Sequence, residues 1–217
     1  MSLRFDTSVP DERDRGIEAA ASAARRGDLV VLPTDTVYGL GCDAFSGSGV
    51  SRLLAAKGRG RDMPVPVLVG SPDTIEGLAF GLSTAARDLV EAFWPGALTV
   101  VVRHQPSLAW DLGDAEGTVA LRMPLHPVAI ELLQVVGPMA VSSANRSGSA
   151  PATSCAEAEA QLGESVAVYL DGGTSGEAVP SSIVDVSGPV PRLLRLGAVD
   201  LGTLREVCPD LLEPGTS

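Results

Sequence analysis

The chain of 217 residues contains a single lysine, Lys57, and a single asparagine, Asn145. All its other basic side chains, apart from two histidines, are arginine. Aromatic residues make up only 4%. Each scarcity excludes something. Cys42, Cys155 and Cys208 are odd in number and far apart, so they suggest neither a disulfide framework nor a metal-type spacing. Reduced thiols in a cytosol are expected. No cluster of His, Asp or Glu has the spacing of a protein-held metal site, so no metal held by a protein cluster is expected. No apolar run approaches the ~20 residues of a membrane span. Met1 to Asp14 is charged and lacks an apolar signal core, so a cytoplasmic protein is expected. The net charge of −11 should repel nucleic acid from the surface as a whole, leaving weak or no direct binding. There is no Gly-x-x-x-x-Gly-Lys-Ser/Thr loop and no Gly-x-Ser-x-Gly elbow, which removes two common catalytic frameworks.

With 45% hydrophobic residues, the chain can bury a sizeable core. One stretch organises the rest. Val30, Val31 and Leu32 read as the end of a buried strand, and Pro33 cannot continue its ladder. Thr34, Asp35, Thr36 and Tyr38 then place polar side chains just past the strand end, where open α/β sheets bind ligands. Gly39 and Gly41 follow, as positions where backbone could approach a ligand closely. Gly39-Leu40-Gly41-Cys42-Asp43-Ala44 also matches a dinucleotide-binding pattern weakly, because Pro33 and four polar residues interrupt its strand-to-turn passage.

The remaining pattern mixes strands and helices. Asp11–Arg26 and Ser83–Phe93 read as helices with one apolar face, and Pro127–Val136 as a helix opened by its proline. Val50, Leu53 and Leu54 form a helical face running into Lys57. The cluster Lys57-Gly58-Arg59-Gly60-Arg61 thus lies at a helix C-terminus and in the following loop. Met63–Val69, Ala97–Val102, Thr118–Arg122, Met139–Ser142, Val166–Leu170, Ser181–Val186 and Arg192–Leu196 read as strands. Ser154 and Glu157 suggest a capping box for a helix ending at Leu162, and Cys42–Gly49 reads as a loop. Several strands are joined by short turns, without strict βαβ alternation. The expectation is an α/β fold, a single-domain twisted open sheet of mixed parallel and antiparallel strands with helices packed on it, spanning residues 1–208. Residues 209–217 are expected to form a short C-terminal tail.

The candidate site contains cations (Lys57, Arg59, Arg61, Arg122, Arg195), hydroxyls (Thr34, Thr36, Ser143, Ser181) and the Asn145 amide. An obvious nucleophile and base are missing; His104 and His126 stand in or near loops. Such a set suits a reaction driven by positioning and charge stabilisation, as in phosphoryl or nucleotidyl transfer.

Pro33-Thr34-Asp35-Thr36-Val37-Tyr38-Gly39-Leu40-Gly41 resembles the signature of the YrdC/Sua5 family. Ala56-Lys57-Gly58-Arg59 resembles its Lys-x-Arg element and Ser143-Ala144-Asn145 its Ser-x-Asn element. Trp94–Thr99, Thr118–Pro124 and Pro180–Asp185 match further blocks in order, and the likeness runs from about Arg13 to Gly197. The resemblance implies the YrdC-like fold in its short, single-domain branch. It also implies threonylcarbamoyl-AMP synthesis from L-threonine, bicarbonate and ATP with Mg2+, for tRNA modification by downstream threonylcarbamoyl transferase proteins. It assigns Lys57, Arg59, Arg122, Ser143, Asn145 and Arg195 to ATP, with Lys57 and Arg59 catalytic. Thr34, Thr118 and Ser181 are assigned to threonine, with backbone contacts near Val141 and Pro151. Gly60, Leu68 and Ser182 depart from residues common at their positions. Three alternatives remain: a double-stranded RNA or tRNA-binding module, a carbamoyl-adenylate-forming paralogue of the same fold, and a nicotinamide enzyme using the Gly39-Leu40-Gly41 turn.

Overall fold

The computed structural model describes residues 2–175 and 179–214. Along the chain, β1 (Leu3–Asp6), α1 (Pro10–Arg25), β2 (Val30–Leu32), β3 (Gly39–Asp43) and α2 (Gly47–Lys57) come first. They are followed by β4 (Val67–Leu68), α3 (Thr74–Leu78), α4 (Thr84–Phe93), β5 (Leu98–Arg103) and β6 (Thr118–Arg122). Then come α5 (Pro127–Val136), β7 (Met139–Ser143), α6 (Cys155–Leu162), β8 (Val168–Asp171), β9 (Ser182–Asp185), β10 (Arg192–Arg195) and α7 (Leu201–Val207). The strands form one ten-stranded sheet in the order β1-β8-β2-β3-β7-β4-β6-β5-β9-β10. Four pairs are parallel (β1/β8, β8/β2, β4/β6, β5/β9) and the other five antiparallel, so the mixed open sheet expected from the sequence is what forms.

Strand parity divides the core. On one face, Val30, Leu32, Leu68, Met139, Val141, Val168 and Leu170 pack under α1 and α5. On the other, Val31, Leu40, Val67, Leu98, Val100, Leu121 and Val184 meet the apolar faces of α2, α3, α4, α6 and α7. The first helical layer is small. It covers the sheet from β8 to β4 and stops at Leu68 and Val141. Beyond it, the same face of β6, β5 and β9 carries Arg122, Thr99 and Ile183, and no helix lies over them in that core cluster. A cavity occupies this uncovered half.

Local chemistry sets the element ends. Asp11 and Glu12 stand in the first turn of α1, and Pro10 opens it. Gly58 caps α2 with φ 66°, a left-handed conformation that favours glycine, and so turns the chain sharply after Lys57. Ser154 caps α6 by accepting from Glu157 N, but the Glu157 carboxylate reaches Thr153 N and Oγ1 instead of completing a box with Ser154.

Two strands were not expected. Edge strand β1 is mostly exposed, and its Leu3-Arg4-Phe5-Asp6 alternation is only four residues long, too short to be read as a strand by itself. The other, β3, replaces the expected glycine turn and the start of the expected loop. Gly39 and Gly41 are strand residues paired to Ser143 and Val141. A Cβ on either would meet Val141 side-chain carbons at 2.7 and 2.9 Å, so the glycines serve close packing within the sheet. A strand in this position also removes the turn-to-helix geometry of a dinucleotide site. Within the segment expected to be a tail, Leu211 is buried and Leu212 bridges to Arg192 beside β10; residues 215–217 lie outside the described residues.

Candidate functional site

A cavity of about 280 Å3 lies on the uncovered half of the sheet. Its walls come from the β2–β3 loop (Thr34, Thr36, Val37), β4 (Leu68), β5 (Thr99), β6 (Arg122), the end of β7 (Val141, Ser142, Ser143), Pro151, the entry to β9 (Pro180, Ser181) and Arg195. Strands remote in sequence meet here because β4, β6, β5 and β9 are neighbours in the sheet. The volume falls just below the ~300–1,000 Å3 typical of drug-sized ligand pockets, so it suits a small metabolite rather than a whole nucleotide. A larger cleft of about 460 Å3 beside His126 collects none of these motif side chains.

Arg122 is the anchor. Its guanidinium is buried and donates to Gly96 O at 2.9 Å, Thr36 Oγ1 at 3.0 Å and Asp35 Oδ1 at 2.6 Å. Gly96 belongs to the Trp94-Pro95-Gly96 turn, whose shape is set by a cis Trp94–Pro95 bond and by Trp94 Nε1 donating to Leu98 O. Asp35 Oδ1 also accepts from Leu125 N at 2.9 Å. Burial pushes the Arg122 pKa down, while Asp35 opposes the shift.

Two hydroxyl pairs line the cavity. Thr34 Oγ1 lies 3.1 Å from Thr36 Oγ1 and donates to Val37 O at 2.6 Å. In the second pair, Thr99 Oγ1 and Ser181 Oγ are 2.8 Å apart. Arg195 is exposed and straddles Ser181, donating to its carbonyl at 2.8 and 3.0 Å and to its hydroxyl at 3.1 Å.

The only lysine and the only asparagine of the chain touch each other. Lys57 is buried, and its ammonium donates to Ser143 O, to Asn145 O at 2.8 Å and to Asn145 Oδ1 at 3.4 Å. The Asn145 amide nitrogen in turn donates to Arg146 O at 2.9 Å and Ser149 O at 2.8 Å. Burial, then the neighbouring Arg59, pushes the Lys57 pKa down to about 7; the oxygens around the ammonium resist that shift. Arg59 is half-buried, with Nη1 donating to Ser142 Oγ at 3.3 Å at the cavity wall. Its Nε is buried without an acceptor. Arg61 instead turns away to pair with Asp111 and Asp114.

The structure therefore gathers Thr34, Arg122, Ser143, Ser181 and Arg195 on the cavity wall, with Arg59 beside Ser142. Lys57 and Asn145 stand behind the end of β7, with their polar atoms engaged by protein groups. Thr118, assigned to threonine by the resemblance, is not among the residues lining the cavity. It lies four residues before Arg122 on the same face of β6, about 13 Å along the strand, and its hydroxyl donates to Ala115 O at 2.7 Å. Thr34 lines the cavity as expected, but its hydroxyl is spent on Val37 O. Thr36 and Asp35 stand in the stretch read as ligand-facing but receive no ligand from the resemblance, and sequence reasoning misses Thr99 and Ser142. Thr99 had a signal, being a polar residue within the apolar run Leu98–Val102 of an interior strand.

Among the described residues, no group of three or more His, Cys, Asp or Glu is placed to hold a metal ion, and no helix is long and apolar enough to cross a membrane. Comparison with known proteins adds an independent line. The Sua5/YciO/YrdC family model, described as telomere recombination, matches residues 22–197. A Mycobacterium tuberculosis protein, provisionally named a threonylcarbamoyl-AMP synthase, is 60% identical over 207 residues, covering 95% of each chain. The Bacillus subtilis threonylcarbamoyl-AMP synthase is 36% identical over 201 residues, covering 90% of this chain and 58% of its own. Pyrococcus abyssi Sua5 complexed with L-threonine superposes with a TM-score of 0.91 at 32% identity, over the whole of this chain and 64% of that one. The chain thus spans nearly the full length of the mycobacterial relative but under two thirds of the other two.

Proposed function

The chain belongs to the Sua5/YciO/YrdC family, and from that premise we propose that it is a nucleotidyltransferase making threonylcarbamoyl-AMP and pyrophosphate from L-threonine, bicarbonate and ATP. The product would feed the transferases that modify tRNA. The observation that carries this reading is the unsatisfied Arg59 Nε, buried beside a hydroxyl-lined cavity of amino-acid size. A buried donor without an acceptor is costly, and a phosphate oxygen would satisfy it.

In this reading the threonine lies in the cavity, between Thr36 and the Thr99–Ser181 pair. The cavity is too small for the whole nucleotide, so ATP lies across its mouth, with its phosphates toward Arg59 and Arg195. The Ser142 and Ser143 hydroxyls stand beside them. A nucleotide running along the open face of β6 would reach Thr118, which moves that residue from the amino acid to the ATP side. Lys57 supports the phosphate site electrostatically and by fixing the Ser143 and Asn145 carbonyls.

Bicarbonate, once protonated, loses water to give CO2; the threonine amine adds to its carbon and releases a proton to solvent, and an oxygen of the resulting carbamate attacks the α-phosphorus as the bond to pyrophosphate breaks. The arginines stabilise negative charge that grows on the phosphates, which is where such sites derive most of their effect. Magnesium enters with ATP as part of the substrate. No acidic group here is free to hold it in a protein cage, since Asp35 is committed to Arg122. The carbamate and the mixed anhydride both hydrolyse in open water, so an inset cavity suits them.

The test is pyrophosphate release with each component omitted in turn. Release that needs ATP, bicarbonate and L-threonine together is expected. Equal release without threonine would overturn the assignment. The acidic chain argues against the RNA-binding reading, and tight, salt-steep tRNA binding without ATP would revive it.

A further inference from the structure

The hydrogen-bond directions around the cavity can be worked out, because some partners can only accept and others only donate. Val37 O can only accept, so the single Thr34 hydroxyl proton goes to it. The contact between the two threonine hydroxyls must then run from Thr36 to Thr34. Thr34 Oγ1 also accepts from Thr36 N at 3.3 Å, which fills its second lone pair. Arg122 can only donate, so Thr36 Oγ1 accepts from it. The chain is therefore one-way, from Arg122 through Thr36 and Thr34 to the Val37 carbonyl. Thr34 is saturated. Thr36 has one lone pair left and no proton to offer, so this wall can only receive a hydrogen bond.

The Thr99–Ser181 pair has the reverse character. Thr99 and Ser181 share one hydrogen bond between them, and Arg195 donates into Ser181. The pair has two hydroxyl protons and uses one internally, so one O–H remains for an acceptor on the ligand. Both residues are buried. Arg195 adds a positive charge on that side. An amino-acid carboxylate fits this donor wall. The acceptor wall, with the Arg122 guanidinium 3.0 Å from Thr36 Oγ1, suits a neutral donor better than an ammonium.

Resting on the synthase reading above, we propose that Thr36, to which the resemblance assigns no ligand, is the specificity determinant that accepts the side-chain hydroxyl of the substrate amino acid. Thr34 acts only as its positioning residue. Selection for threonine then follows from one lone pair that a substrate hydroxyl fills and an aliphatic side chain leaves empty.

The experiment compares kcat/KM for L-threonine and for L-2-aminobutyrate, which is threonine without its hydroxyl, at saturating ATP and bicarbonate. The proteins are wild type, Thr36→Val, Thr36→Ser and Thr34→Val. Thr36→Val should lower the threonine-to-aminobutyrate ratio roughly tenfold, the worth of about one neutral hydrogen bond, with the KM for ATP unchanged. Thr36→Ser should restore the ratio to within about threefold. Thr34→Val leaves the Thr36 oxygen in place but frees its proton, and should lower the ratio by less than Thr36→Val does. Damage to the fold would move both substrates alike, so the ratio isolates recognition from packing. A ratio unchanged in Thr36→Val, or lowered equally in Thr34→Val, overturns the inference while leaving the synthase reading intact. A wild-type protein that releases no pyrophosphate with threonine overturns both.

Discussion

Removing the carboxylate of Asp35 is the sharpest perturbation of the site's frame. Asp35 and Arg122 form a buried pair at 2.6 Å, with side chains 15% and 9% exposed. In Asp35→Ala the guanidinium stays buried without its counter-ion, and Leu125 N loses its acceptor. Breaking one partner of a buried ion pair costs about 3–5 kcal/mol, far more than the ~0–1 kcal/mol of an exposed pair. For a domain of this size each kcal/mol lowers Tm by about 2–4 °C, so a fall of roughly 6–20 °C is expected. Urea unfolding and differential scanning calorimetry at pH 7 would measure it. Adding Arg122→Met to the same protein removes the stranded charge. The double variant should therefore be more stable than Asp35→Ala alone by at least about 1 kcal/mol. A single variant within about 1 kcal/mol of wild type, or a double variant less stable than the single, would refute the view that this pair is a desolvated unit.

Lys57→Ala and Arg59→Ala should each reduce pyrophosphate release by two orders of magnitude or more, the scale set by losing one preorganised charge-stabilising group; turnover near wild type in both would contradict the phosphate assignment. The depressed Lys57 pKa makes a stability prediction of definite sign. With about 7 in the folded protein against 10.5 as its ordinary value, the unfolded chain binds more protons between those limits. Wild type should thus gain stability relative to Lys57→Met as pH rises from 7 toward 10, and a flat difference in urea unfolding across that range would contradict it. Thr118→Val should leave the KM for L-threonine within about twofold of wild type, since the residue lies about 13 Å along the strand from Arg122; a rise of tenfold would restore it to the amino-acid site.

Helices were the most legible part of the chain. The bounds of α5 are those its proline and apolar spacing suggest, and α1 and α4 differ by a residue or so at their ends. Strand β3 was not legible because Gly39 and Gly41 are poor strand formers by themselves. They are required by Val141 across the ladder, a contact between residues about a hundred positions apart. Sheet order shares that difficulty: nothing local places β9 next to β5. At the site, rarity of type pointed to Lys57 and Asn145 and could not reveal that they bind each other. Likeness of motif pointed to Thr118 and Thr34, but register carries the first down the strand and a backbone carbonyl takes the hydroxyl proton of the second. Thr36 needed the geometry, because its role follows from the direction of hydrogen bonds rather than from residue type.

The most direct measurement of the central claim is a crystal structure with L-threonine and a non-hydrolysable ATP analogue bound together. The account predicts the amino acid inside the cavity between Thr36 and Ser181, with a phosphate oxygen accepting from Arg59 Nε. An amino acid bound elsewhere, or an Arg59 side chain pointing into bulk solvent away from the phosphates, would contradict it.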